Sequence, residues 1–390
     1  MDKIWKFTFY YFFFLFNIII NSINIDKNIY NKLLSQLNII DEYKNSTFGI
    51  QLGANNPCED SFFIHNITLL NMEGIFFSIF DGHGGYLLSK YANLLLYPYF
   101  LESFNLNKLE KNLNKRIIKS LKDSYKRIET DFLKIAFNEH LKENNKYSYL
   151  GSCALSAIII NKKIFIANLG DSKARLFFID KNNNKYKNYT KYKVKKVSKV
   201  FNIRKKSEQK KMKKKYPDDN DIYRCYGPKS CYVKGILQPT RTLGDYTLKY
   251  VYFNVNDFKN KELLKQFEQY FQGPYISSKP DIQIYDIQDN YKYLIMGSDG
   301  LWDVIKSKEV GKLIYQFMDI NNKNELFRNK NYNHLEKITY GLINYALSVY
   351  SKEVNINGNY KYILDTPFGK DRRNLHDDIT IITCDISRYN

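Results

Sequence analysis

The stretch Phe76–Gly85 constrains this chain more than any other. It reads Phe76, Phe77, Ser78, Ile79, Phe80 and then Asp81, Gly82, His83, Gly84, Gly85. An apolar run of this kind is a buried-strand signal. A carboxylate at the end of a buried strand is costly unless it is paired or bound to a metal. The glycines let the backbone turn sharply and let another group approach closely. Alone, the run reads equally well as a tight turn after a strand.

The same pattern recurs along the chain. Gly53–Asp60 is a turn ending in Glu59 and Asp60, followed by the strand-like Ser61–His65. Adjacent residues of a strand point to opposite faces, so one acid can face a metal while the other supports it. Leu155–Ile160 and Lys163–Asn168 read as strands around a turn, the second running into Gly170 and Asp171. Lys173–Ile179 returns as a strand. Gly235–Asp245 is a further apolar segment closing on Gly-Asp, and Tyr293–Met296 runs into Gly297, Ser298 and Asp299. Asp377 and Asp378 precede the last strand, Ile379–Cys384. Helical spacing covers Tyr86–Leu101, Asn114–Ala136, Lys308–Met318 and Leu335–Tyr350, while residues 351–373 read as a polar loop.

The strand-end acids Glu59/Asp60, Asp81, Asp171, Asp299 and Asp377 would repel one another if they converged with nothing between them. Hard divalent cations remove that cost. An all-oxygen set without Cys and with little His suits Mg²⁺ or Mn²⁺. Two such ions about 4 Å apart lower the pKa of a bridging water and clamp a phosphoryl group. His83, beside Asp81, would protonate the leaving alkoxide as general acid. This is chemistry for hydrolysing a phosphate ester.

Taken together, Glu59-Asp60, Asp81–Gly85, Ala167–Ala174, Thr240–Asp245, Ser298–Val304 and Asp377–Thr380 resemble, in order, the motifs of the type 2C metal-dependent protein phosphatases. The match covers about residues 47–385. The resemblance implies an α+β fold: a four-layer α-β-β-α sandwich of two antiparallel sheets flanked by helices. It implies an enzyme that hydrolyses phosphoserine and phosphothreonine in proteins by attack of a hydroxide bridging two Mg²⁺ or Mn²⁺ ions. By analogy Asp81 bridges both ions, the Gly82 carbonyl helps hold one, and Glu59 binds the second with Asp60 beside it. Asp299 and Asp377 bind the first. Asp171 and Asp303 match acids of a weaker third metal, and His83 matches the general acid. A catalytically impaired phosphoprotein-binding pseudophosphatase is the alternative, and loss of metal ligands would be its signature.

The chain also departs from the common pattern. Asn55 stands where many members carry a phosphate-binding Arg, and no Arg precedes Arg116. Asn55 and Asp378 together resemble a branch that contains pyruvate dehydrogenase phosphatases and plant enzymes. The contact to the substrate phosphate is therefore unassigned. A lysine-rich, low-complexity segment at about 181–216 takes the place of the usual stretch after the Gly-Asp-Ser motif. It reads as a solvated insertion.

Outside that body, Lys3 and Lys6 precede the apolar Phe7–Ile20, the layout of a signal peptide or signal anchor over residues 1–22. This favours the secretory pathway or membrane anchoring, with a mitochondrial or cytoplasmic location as the alternative. Residues 23–46 read as a helix and linker before a phosphatase domain at 47–386. The net charge of +20 sits largely in lysine-dense spacers. No nucleic-acid module accompanies it, so no nucleic-acid partner is expected. A monomer is expected. The five cysteines form no C-x-x-C pair and read mostly as core or free thiols.

Overall fold

The computed structural model describes residues 37–41, 46–179, 192–228, 230–254, 271–318, 333–354 and 360–390. Residues 1–22, with the signal or anchor expectation, lie outside the described residues. Among those described, no helix is long and apolar enough to cross a membrane.

Two antiparallel sheets make the centre. The first runs β1(Leu37–Asp41), β2(Thr47–Leu52), β14(Ile379–Asp385), β13(Tyr291–Gly297), β7(Lys173–Ile179) and β8(Tyr192–Lys196) in spatial order. The second runs β12(Asp281–Asp286), β6(Lys163–Leu169), β5(Gly151–Ile160), β4(Met72–His83) and β3(Ser61–Leu69), with β11(Leu243–Gly244) added beside β5. Strand alternation sorts the apolar residues into separate layers. Ile75, Phe77 and Ile79 of β4 pack with Leu176, Leu294, Met296 and Ile382 between the sheets. Phe76 and Phe80 face the other way, onto α1(Leu87–Leu106) and α2(Leu113–His140), against Leu88, Leu96, Ile117 and Tyr125. On the far side Phe48, Ile50, Ile295 and Ile381 meet α4(Ser307–Met318) and α5(His334–Glu353) through Ile314, Ile338 and Leu342. The expected four-layer α-β-β-α sandwich is the fold observed.

Three expectations need correction. Leu37–Asp41 is a strand paired antiparallel with Thr47–Leu52, so part of the expected helix-and-linker stretch extends the sheet. The polar loop 351–373 contains the short helices Lys361–Asp365 and Lys370–Arg373, and Arg372 is fully buried.

The largest correction concerns the lysine-rich segment. Its described part, from residue 192, is folded structure rather than a solvated insertion. It supplies β8 and the helix α3(Lys206–Lys215). Ile203, Met212 and Tyr216 are buried in a lobe with Ile222, Val233, Leu248, Tyr275 and Ile276. The hairpin β9(Tyr223–Gly227) and β10(Ser230–Val233) belongs to this lobe, and Cys225 and Cys231 are joined across it by a disulfide. The lysines masked a sparse apolar set at helical spacing, which is enough to bury one face.

Candidate metal centre

The acids converge where both sheets end on the same side. Asp81 closes β4, Asp171 lies in the turn between β6 and β7, and Asp299 follows β13. One carboxylate oxygen from each lies within 4.8 Å of the other two. The groups are tied together: Ser172 Oγ and the Asp299 backbone N–H both donate to Asp81 Oδ2 at 3.2 Å. Burial pushes the Asp81 carboxyl up, and the neighbouring Asp299 charge pushes it further. Asp299 is pushed up to about 8 by burial and then by Asp171 and Asp303. Asp377 is raised by burial and by Asp299. Carboxylates forced together at this cost form a hard-oxygen donor set, which fits Mg²⁺ or Mn²⁺ rather than a soft metal.

Glu59 and Asp60 arrive on the loop before β3. Asp378 shapes that loop. Its Oδ1 accepts from the Ala54 and Asn55 N–H groups at 2.5 and 3.0 Å. Its Oδ2 accepts from Glu59 N–H at 2.8 Å and Asn55 Nδ2 at 2.9 Å. Burial alone would raise the Asp378 carboxyl, but these bonds hold it below the usual carboxylate range. Asn55 is thus committed to Asp378 and, at 3.4 Å, to Glu59 Oε2. The two departures noted in the sequence are partners in one network. Asp60 is buried and accepts from Thr380 Oγ1 at 2.6 Å. Burial and Asp378 raise its carboxyl. At Gly82 an added Cβ would lie 2.3 Å from the Glu59 carbonyl oxygen, so only glycine lets β4 approach this loop.

Asp171 and Asp303, paired by the resemblance, both act on the Asp299 carboxyl but have different partners. Asp171 belongs to the cluster with Asp81 and Asp299 and is held by Asn202 Nδ2 at 2.6 Å and by the Cys153 thiol at 3.2 Å. Asp303 accepts a bidentate bond from Arg204 at 2.9 and 3.2 Å and has Lys173 Nζ at 3.6 Å. Burial would raise it, but the Arg204 contact holds it low.

Two further partners carry no assignment from the sequence. His83 Nε2 lies 2.9 and 3.0 Å from the two Asp245 carboxylate oxygens. Burial would push the imidazole down, yet Asp245 raises it overall and so favours the protonated form. Thr242 Oγ1 donates to Asp245 at 2.6 Å, and the Asp245 N–H donates to Leu150 O at 2.8 Å. Gly151 leaves room for the pair, since a Cβ there would lie 2.0 Å from His83 Nε2. The Thr240–Asp245 motif was visible in the sequence, but its role required the fold. The second partner is Arg373. It pairs with Asp377 at 2.7 Å and borders a cleft of about 300 Å³ with Asp299, Asp303 and Tyr350. Its charge also acts on Glu59 and Asp299.

The protein phosphatase 2C family model matches residues 52–354. The chain is 26% identical over 335 residues to a probable protein phosphatase 2C 79 of Arabidopsis thaliana, covering 84% of this chain and 77% of that protein. It is 26% identical over 303 residues to the mitochondrial pyruvate dehydrogenase (acetyl-transferring) phosphatase 1 of Saccharomyces cerevisiae, covering 70% and 50%. The solved structure of a serine-threonine phosphatase 2C from Toxoplasma gondii superposes with a TM-score of 0.56 at 14% identity, covering 90% of this chain and 98% of the other. The family match and the relatives, with the acid cluster, support a metal-dependent protein phosphatase. The chain belongs to the protein phosphatase 2C family.

Proposed function

We propose that this protein is a serine/threonine phosphatase that removes phosphate from phosphoproteins at a dinuclear Mg²⁺ or Mn²⁺ centre. The observation that carries the reading is the convergence of Asp81, Asp171 and Asp299 at the shared sheet end. Asp81, Asp299, Asp377, Glu59 and the Gly82 carbonyl would hold two ions, with Asp60 supporting through Thr380. Asp171 would hold a third ion or share the first. The contacts of Asp303 with Arg204 and Lys173 favour a role in fixing those cations over metal binding. Two bound ions supply an activated water and positive charge for phosphoryl transfer.

The side chains supply the rest. His83, kept protonated and oriented by Asp245, donates a proton to the leaving serine or threonine oxygen. Arg373 takes the task of the missing arginine, offering its guanidinium to the substrate phosphate at the cleft. The enzyme acts as a monomer. A secretory or membrane-anchored location is supported by residues 1–22 and by the Cys225–Cys231 disulfide, since disulfides persist in oxidising compartments.

The test is turnover of a phosphothreonine peptide by the full-length protein with Mn²⁺, with Mg²⁺ and with EDTA, using okadaic acid as a control. Turnover that needs metal and resists okadaic acid is the expected result. No turnover with metal bound, measured by calorimetry, would sink the enzymatic reading in favour of a phosphoprotein-binding pseudophosphatase.

A further inference from the structure

The helix α3, Lys206–Lys215, carries six lysines in ten residues. Its orientation is fixed by one buried face. Glu208 accepts from Thr240 Oγ1 at 2.8 Å, Gln209 Nε2 donates to Ile203 O at 2.9 Å, and Met212 packs into the lobe. Several lysines are engaged: Lys211 pairs with Glu208 at 2.6 Å, Lys213 lies over the Tyr223 ring, and Lys215 donates to Pro274 O at 3.2 Å. Lys206, Lys210 and Lys214 are exposed. Spaced by four, they form one row along the helix, about 6 Å apart in rise. Like charges in such a row repel. The helix's one acid, Glu208, is turned inward, so no acid of the helix relieves that repulsion.

The row begins two residues after Arg204, which grips Asp303, and shortly after Asn202, which grips Asp171. It is therefore anchored to the rim of the acid cluster. Ten helical residues span about 15 Å. An extended peptide leaving the cleft covers that length in about five residues.

We propose that the row Lys206, Lys210 and Lys214 is a docking surface for acidic segments of the substrate, making this phosphatase selective for phosphoproteins with Asp or Glu clusters near the phosphorylated residue. The inference rests on the phosphatase reading above. Charge complementarity identifies the occupant. An anionic membrane is the poorer occupant, because the exposed side of the helix offers lysines and Ser207 but no apolar residue to insert.

The experiment uses the full-length protein and two phosphothreonine peptides. They share a centre and differ only in four Glu or four Gln placed four to eight residues from the phosphothreonine, on either side. The expected result is a kcat/KM about tenfold higher for a Glu peptide at low salt, fading as salt screens the charges. The triple variant Lys206→Gln, Lys210→Gln, Lys214→Gln should lose this preference and keep wild-type turnover of p-nitrophenyl phosphate. Equal kcat/KM for Glu and Gln peptides with the wild-type protein overturns the proposal. So does a preference that the triple variant retains, or lysine-dependent sedimentation with phosphatidylserine vesicles without any peptide preference. Turnover of p-nitrophenyl phosphate reports separately on the phosphatase reading. If it is absent, binding of the fluorescent Glu and Gln peptides by anisotropy reads the row alone, with equal affinities overturning it.

Discussion

The carboxylate end of the sandwich and the lysine-rich lobe are joined by contacts that include Asn202 with Asp171, Arg204 with Asp303 and the Phe201 N–H with the Gly170 carbonyl. They are built on opposite terms. The first concentrates like charge where strands from both sheets are forced to end together, and the burial that makes it costly also makes it ready for cations. The second spreads like charge over a surface and buries a small apolar set beneath it. A buried charge cluster is expensive and therefore leaves a sharp sequence pattern. An exposed one is cheap and resembles a spacer.

The comparison breaks first at the acids. Asp299→Asn should lower turnover of a phosphothreonine peptide by about a thousandfold, about 4 kcal/mol in the barrier. In EDTA the same variant should melt at a higher temperature than wild type, because one of several mutually repelling carboxylates, partly shielded from solvent, is gone. A lower melting temperature would show that the carboxylates are not in net repulsion. In the lobe, Ile203→Ala should cost about 2–4 kcal/mol by denaturant unfolding; a mere spacer would leave the transition unmoved.

Two substitutions sharpen the division of labour inside the site. His83→Ala should slow the phosphothreonine peptide about a hundredfold but p-nitrophenyl phosphate far less, since a good leaving group needs no proton. Asp245→Asn should show the same pattern in weaker form, and uniform slowing of both substrates would argue that the pair is structural. The smallest effect belongs to Arg373. Arg373→Ala should raise KM for the phosphopeptide about tenfold with kcat little changed, and Arg373→Lys should recover part of the loss. An unchanged KM would return the phosphate contact to the unassigned state in which Asn55 left it.

Most strands and the main helices were legible because alternation of two and spacing of three to four are local properties. Phe76 and Phe77 announce β4 and sort to opposite layers by pleat alone. The acids at the strand ends were legible for the same reason, since a carboxylate after a buried run needs an explanation wherever it occurs. The motif resemblance grouped the acids, but the sequence did not show what holds them. Asp171 and Asp303 carry equal weight in the motifs, and only the fold shows that Asn202 holds the first while Arg204 and Lys173 hold the second. Asp245 finds His83 across 162 positions, and Asp378 finds Asn55 across 323. The sequence by itself determined the class of chemistry, because charge and burial must balance residue by residue along each strand. Only the tertiary structure decided the partners, because a hydrogen bond between distant segments depends on the geometry of every element between them.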